Sequence, residues 1–592
     1  LEICDESKQS SYYVNFALDI DIIKNMLSAK LLYGVNKENG KRSAYIPKDV
    51  YWGLVRKSRG SLGYNERQYE TMEGTLSFRH KFWNMIDVNA VAGMGRYLDK
   101  GTGMTVSYQN ANDMINDSNL AAADGPFSPT SYKYENEKRS QFLRASFDVL
   151  ERYVLTATLR RDGTDKFFPD KKYSLFPSAS VAWKMSNESF MQNLSWLNLL
   201  KVRASYGVTG SDNLGTSLYG IIGISREDVK FSNSGVTYVP YALQSANYSD
   251  VTWQKTTMKN IGLDFSILKD KIWGSLDFFR NDVTNLLGTA PTSLLNMYGY
   301  RPINGGHYKR TGVELSLNTL NIQTPHFKWT SSLALSHYNA YWIERMPNFD
   351  YKKYQKRENE PMSAYYYYKT IGVINEDRSN MPDSQRSLPR EAQLPGYPII
   401  DDRNGDGKID IDDIYMDNTL PKVYYGFGNT FTYKNFDLDV YMYGQLGVKK
   451  FNSTHASNCS AANLASGTLA SNPTDYAYSI WNSQINSNGT VPGIASSKSV
   501  ALPENAPINT FWEKASFLRV RNITLGYNWD TRKLAFLKGN IQNIRLFVDF
   551  QNPFTLTKFE GDDPEITTAA GNLGHGQYPQ LRVYSFGAKI SF

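Results

Sequence analysis

The stretch Leu581-Arg582-Val583-Tyr584-Ser585-Phe586-Gly587-Ala588-Lys589-Ile590-Ser591-Phe592 decides the fold. Tyr584, Phe586, Ala588, Ile590 and Phe592 share one parity; Val583, Ser585, Gly587, Lys589 and Ser591 share the other. Successive side chains of a strand point to opposite faces, so this segment reads as a strand with one apolar and one mostly polar side. The same period of two recurs in Ile544, Leu546, Val548 and Phe550, and in Ile523, Leu525, Tyr527 and Trp529. It recurs again in Phe436, Leu438, Val440 and Met442, and in Val423, Tyr425 and Phe427.

Several such segments meet at tight turns. Ile261, Leu263, Phe265 and Ile267 run into Lys269-Asp270 and leave through Ile272, Leu276 and Phe278. Segments 422–433 and 435–447 meet across Lys434-Asn435. Both read as hairpins. Counting alternating segments gives about 17 strands. They lie near 11–20, 26–35, 69–81, 84–97, 139–148, 152–162, 175–185, 198–210, 255–268, 271–284, 308–319, 326–340, 422–433, 435–447, 515–529, 541–552 and 581–592.

The connections alternate in length. Those near 21–25, 82–83, 149–151, 186–197, 269–270, 320–325, 434 and 530–540 are short. Those near 36–68, 98–138, 163–174, 211–254, 285–307, 341–421, 448–514 and 553–580 are long. A soluble sandwich or propeller has no reason to collect its long loops at one end, and the chain carries no blade-length repeat. An outer-membrane barrel does, with short periplasmic turns and long extracellular loops. The fold class expected is therefore all-β: a transmembrane antiparallel β-barrel in contact with outer-membrane lipid. A last strand ending on the periplasmic side puts every short turn there and every long loop outside.

Composition agrees. The 592 residues are 41% hydrophobic without an 18-residue apolar run, which excludes a helical membrane protein. Aromatics reach 14%, against disorder. Cys4 and Cys459 are too few for a disulfide scaffold. The net charge of +7 is small and scattered, so a nucleic-acid partner is not expected. Tyr527, Trp529, Phe586 and Phe592 suit an interfacial girdle.

The order and spacing of longer strings carry a family resemblance. They include Leu155-Thr156-Ala157-Thr158-Leu159-Arg160-Arg161-Asp162-Gly163, Lys201-Val202-Arg203-Ala204-Ser205-Tyr206-Gly207-Val208-Thr209-Gly210 and Trp253-Gln254-Lys255-Thr256-Thr257. Asn260-Ile261-Gly262-Leu263-Asp264-Phe265, Tyr433-Lys434-Asn435-Phe436-Asp437-Leu438, Ser516-Phe517-Leu518-Arg519-Val520-Arg521-Asn522-Ile523-Thr524-Leu525-Gly526-Tyr527 and Gln551-Asn552-Pro553-Phe554-Thr555 follow, with Phe592 at the end. Together they resemble the SusC-like family of TonB-dependent outer-membrane transporters over nearly the whole chain.

That resemblance implies a barrel of about 22 strands, plugged by an N-terminal domain that a TonB complex pulls upon. It implies a SusD-like surface lipoprotein as partner and an oligosaccharide or a peptide as substrate. Residues 1–592 then form the barrel portion, with the plug and about five strands expected from a part of the protein not in this chain. An open sheet edge in lipid is not tolerated, which is why strands from elsewhere are required. The rival reading is a passive porin or structural outer-membrane barrel, separated from a transporter by the presence of a plug.

One motif has metal-ligand spacing. Asp402-Arg403-Asn404-Gly405-Asp406-Gly407-Lys408-Ile409-Asp410-Ile411-Asp412-Asp413 matches a twelve-residue calcium loop. Asp402, Asn404 and Asp406 offer side-chain oxygens at positions 1, 3 and 5; Lys408 offers its carbonyl, Asp410 acts through water and Asp413 closes the loop. Gly407 permits the sharp turn. The bland counterpart is a solvated acidic turn. The site would stiffen the long 341–421 connection, where Tyr365-Tyr366-Tyr367-Tyr368 also falls. Those tyrosines read as packing within the loop cluster before sugar-stacking platforms. His80, His307, His326, His337, His455 and His575 are scattered, and no H-E-x-x-H, G-x-S-x-G or P-loop occurs, so no enzyme is expected.

Overall fold

A computed structural model of the chain describes residues 3–50, 58–110, 120, 123, 125–214, 218–219, 221–224, 231–233, 236–238, 241–245, 247–292, 300–355, 359–458, 475–493, 502–530, 541, 543–561, 563–565 and 580–591. Cys459, His575, Phe592 and the turn 531–540 lie outside the described residues.

Seventeen strands make one sheet. They are β1 (Cys4–Ile23), β2 (Leu27–Ile46), β3 (Arg59–Phe82), β4 (Ile86–Gln109), β5 (Ser128–Val149), β6 (Tyr153–Thr164), β7 (Tyr173–Lys184), β8 (Leu197–Ser211) and β9 (Gln254–Ile267). Then follow β10 (Ile272–Pro291), β11 (Tyr300–Gln323), β12 (Phe327–Glu344), β13 (Val423–Tyr433), β14 (Phe436–Leu446), β15 (Phe517–Asp530), β16 (Asn543–Thr557) and β17 (Val583–Ser591). Each pairs antiparallel with its neighbour in sequence. Among the described residues β1 pairs only with β2 and β17 only with β16. No described helix is long and apolar enough to cross a membrane.

The short turns tighten through the left-handed backbone region. Asn25, Trp83, Asn84, Leu150, Glu151, Lys269, Asp270 and Lys434 all have positive φ. That twist matches the right-handed twist of paired strands, which is why two-residue hairpins use it.

Register explains the alternation. Trp329, Phe431, Leu438, Leu525, Val548 and Phe586 are successive cross-strand partners from β12 to β17, an unbroken apolar row. Phe586 is 77% and Tyr584 68% exposed in the isolated chain. Contiguous apolar exposure on this scale marks contact with another apolar phase, here lipid. The opposite face carries charge. Lys201 Nζ and Arg203 Nε reach Asp264 at 3.0 and 3.1 Å, and Arg203 Nη2 reaches Asp277 at 2.7 Å. Asp437 accepts from Asn528 Nδ2 at 2.7 Å and from the Arg545 guanidinium. Ion pairs of this density belong on a lumen rather than in hydrocarbon.

The strands run further than their alternation. The expected 69–81 becomes Arg59–Phe82, and the expected loop 98–138 contains the ends of β4 and β5. Beyond the apolar belt both faces are polar, so alternation vanishes while the backbone ladder continues. Charged cross-strand pairs hold these extensions: Arg67 with Asp99, Lys37 with Glu66 and Arg96 with Glu137, each at 2.8 Å.

Candidate functional site

Two long connections, between β12 and β13 and between β14 and β15, fold together into a cap on the extracellular end. Ala364–Tyr367 pairs with Tyr415–Asn418, and Thr370–Val373 with Pro398–Ile400. Tyr366, Tyr368, Ile374, Ile400, Ile409 and Ile414 form its buried core. Leu502, Ala506 and Ile508 enter this core from the connection before β15. Burying residues from two distant connections gives the cap a hydrophobic centre of its own, which a solvated loop lacks.

Tyr366 and Tyr368 belong to that centre, while Tyr365 and Tyr367 stack on each other and on Trp512 and Tyr415 beside it. The Tyr365 ring stacks on Trp512 at 3.9 Å, and its hydroxyl donates to the Ile508 carbonyl at 3.1 Å. Tyr366 donates to Glu360, and Tyr367 to Asp417 at 2.8 Å. Tyr368 is fully buried and donates to the Asp410 carbonyl at 2.9 Å. Burial raises the pKa of Tyr365, Tyr367 and Tyr368 and pushes Tyr397 up to about 12, so all stay neutral donors. Loop packing, the blander expectation, is what they do.

The twelve-residue acidic loop is docked on this core through Ile409 and Ile414 and through Tyr368. Asp402 folds back over its own turn: Oδ1 accepts from Gly405 N at 2.7 Å and Oδ2 from Gly407 N at 2.9 Å. Gly405 and Gly407 have φ of 72° and 82°, the region that favours glycine. Asn404 Nδ2 donates to Asp406 at 3.2 Å, and the Lys408 N–H donates to Asp406 Oδ1 at 2.9 Å. Asp413 is fully buried and approaches the same turn from its other end. It accepts from Arg403 N at 2.9 Å and, through Oδ2, from Asp410 N at 2.8 Å. Asp410 caps the following helical turn by accepting from Asp412 N at 2.8 Å.

The turn holds Asp402, Asn404, Asp406 and Lys408 in one hydrogen-bonded network, and Asp413 joins it through the backbone of Arg403; among the described residues the carboxylates of Asp402, Asp406 and Asp413 do not converge as a ligand group. Burial raises the Asp413 pKa; three backbone N–H groups work against that rise, and the Asp402 charge adds to it. Nearby Asp401 is lowered, first by the Tyr415 hydroxyl and then by Lys369. Backbone N–H groups of the turn itself satisfy the carboxylates of Asp402, Asp406 and Asp413.

Sequence spacing gave no sign of a second polar cluster. Arg519 on β15 is fully buried. Its Nη2 meets both oxygens of Asp563 at 2.8 and 2.9 Å, and Nε meets Thr555 Oγ1 at 2.8 Å. Tyr443 donates to Glu565 at 2.5 Å, and Lys450 bonds the Pro564 carbonyl. Together these groups clamp the connection after β16 onto β14 and β15. Its members lie far apart in sequence, so only folding brings them together.

Comparison with known proteins places the chain. A family model described as "TonB dependent receptor-like, beta-barrel" matches residues 5–552. "TonB-dependent receptor P3" of Formosa agariphila is 26% identical, with all of this chain and 59% of that protein covered. "TonB-dependent receptor SusC" of Bacteroides thetaiotaomicron is 27% identical over 78% of this chain and 44% of its own length. The chain thus spans about half the length of the curated relatives it matches. The RagAB peptide transporter structure superposes with a TM-score of 0.78 at 19% identity, over all of this chain and 62% of that one, a likeness of fold. The family is one of outer-membrane proteins that are not enzymes. With its model matched from residue 5 to residue 552, the chain belongs to the TonB-dependent receptor-like β-barrel family.

Proposed function

We propose that the chain is the barrel of a TonB-dependent importer that takes up oligosaccharides, or peptides, with a SusD-like surface lipoprotein. The observation that carries this reading is the family match over residues 5–552, on a sheet with a lipid face and a charged face. The resemblance to SusC supports the glycan class, and the shared fold with a peptide transporter keeps the peptide class beside it. Among the described residues β1 and β17 each leave one edge unpaired, which lipid does not tolerate, and in this reading strands from another part of the protein would pair with them. The plug belongs with them, and the TonB complex acts through it.

The test uses the full-length protein in its host. Uptake of oligosaccharide and of peptide mixtures is followed with and without a protonophore, and in a strain lacking TonB. Energy- and TonB-dependent uptake of one mixture supports the importer and chooses its substrate class. Flux that survives both treatments makes the barrel a passive porin.

We infer further that the loop 402–413 binds a structural calcium ion. Asp402, Asn404, Asp406, the Lys408 carbonyl and Asp413 would supply its oxygens after closing around the ion, and their twelve-residue spacing with Gly407 at the turn supports the reading. Its chemistry there is charge neutralisation, which stiffens a cap placed where a surface lipoprotein would sit. Calcium titration of the full-length protein, against a variant carrying Asp402→Ala and Asp406→Ala, tests it. Equal binding by both proteins removes the loop as the site.

A further inference from the structure

Three extracellular segments meet at the rim: Lys449–Phe451 with the short helix Ser453–Asn458, the strand Trp512–Lys514, and the connection following β16. His455, Glu513 and Glu560 converge there, one from each segment. Their ligand atoms all lie within 4.8 Å of one another. We propose that these three residues form a zinc site that staples the rim of the barrel, a role independent of the calcium loop and of the substrate class.

The arrangement is built rather than incidental. His455 is 6% exposed, and its ring lies flat on Tyr476 at 3.7 Å with 4° between the planes. Its backbone N–H donates to Asn452 Oδ1 at 3.1 Å, so both ends of the residue are fixed. Nδ1 points at Glu513 Oε1, 2.9 Å away. Asn452 Nδ2 donates to the same oxygen at 2.9 Å, and the Glu560 N–H approaches Glu513 Oε2 at 3.2 Å. Outer partners that hold ligands in this way are the usual support of a metal centre.

The charge balance points the same way. Glu513 and Glu560 are brought together, yet among the described residues neither has a Lys or Arg ion-pair partner; the imidazole is the only positive candidate. Two carboxylates so placed repel each other unless a cation lies between them. One imidazole nitrogen and two carboxylate oxygens match a tetrahedral zinc set with an open fourth position. Calcium prefers six to eight oxygens, so this donor set disfavours it. Glu560 is exposed, which leaves an entry path for the ion.

The experiment strips the purified full-length protein with a chelator and titrates Zn²⁺ alone, reading stoichiometry by calorimetry and by elemental analysis. Wild type is expected to take up one tightly bound Zn²⁺ per chain. Glu560→Gln, at an exposed position, and His455→Gln should each weaken it by about 10-fold or more. The double variant Asp402→Ala and Asp406→Ala should keep it. The proposal is overturned if wild type binds no stoichiometric Zn²⁺, or if Glu560→Gln and His455→Gln bind it as wild type does.

Discussion

Leu525→Arg and Thr524→Arg place the same cation one residue apart on β15, on opposite faces. Leu525 pairs with Leu438 and Val548 and is 47% exposed in the isolated chain. It lies four positions before Trp529, which at ~3.3 Å per residue and a tilt of ~40° is roughly 10 Å along the membrane normal. That depth is close to the midplane, where a lipid-facing Arg costs ~2–4 kcal/mol. Thr524 instead faces Asp439 and Asp549, with its hydroxyl 2.5 Å from Asp549. Arg there gives up one hydrogen bond, worth ~1 kcal/mol, and gains two carboxylates as neighbours. A net difference of ~2 kcal/mol corresponds to roughly a 30-fold change in folding equilibrium. The assay is urea-dependent folding of the full-length protein into phospholipid vesicles, read by heat-modifiable mobility in electrophoresis. Leu525→Arg should shift the midpoint well below wild type, with Thr524→Arg near it. Equal shifts, or a larger one for Thr524→Arg, would refute the assignment of the apolar row to lipid.

Further outcomes follow from the cap and the rim. Arg519→Met leaves Asp563 buried without its partner and should cost ~3–5 kcal/mol locally, freeing 558–565 to proteolysis; Arg519→Lys should rescue little, because one ammonium cannot replace the fork. Asp402→Ala with Asp406→Ala should speed hydrogen exchange across 402–413 in calcium and leave exchange in β13 and β14 unchanged. Asp413 has a raised native pKa. Its contribution to stability is therefore full below the ordinary carboxylate value and is lost as pH rises through the native one. In calcium-free protein, exchange in 402–413 should slow on acidification by more in wild type than in Asp413→Asn, as mass spectrometry can measure. Tyr368→Phe should loosen the same loop by ~1 kcal/mol, the worth of its bond to the Asp410 carbonyl, seen as faster exchange at 409–414.

Local alternation is enough to define the sheet. All 17 strands, their order, and the apolar parity of Leu525, Val548 and Phe586 were legible, because alternation is a local consequence of strand geometry in contact with lipid. The twelve-residue acidic motif is visible in sequence because its proposed ligands are near neighbours, while its calcium role stays a proposal. Strand length was not legible, since past the membrane belt Glu66, Arg67 and Gln68 are polar on both faces and leave no period to count. Only tertiary structure put Leu502 and Ile508 into the core around Tyr368, Asp563 onto Arg519, and Glu560 beside His455. Those contacts join connections more than 40 residues apart, as the separation of Arg519 and Asp563 illustrates. Shape complementarity and charge pairing between folded loops decide them, and neither leaves a periodic trace in the chain.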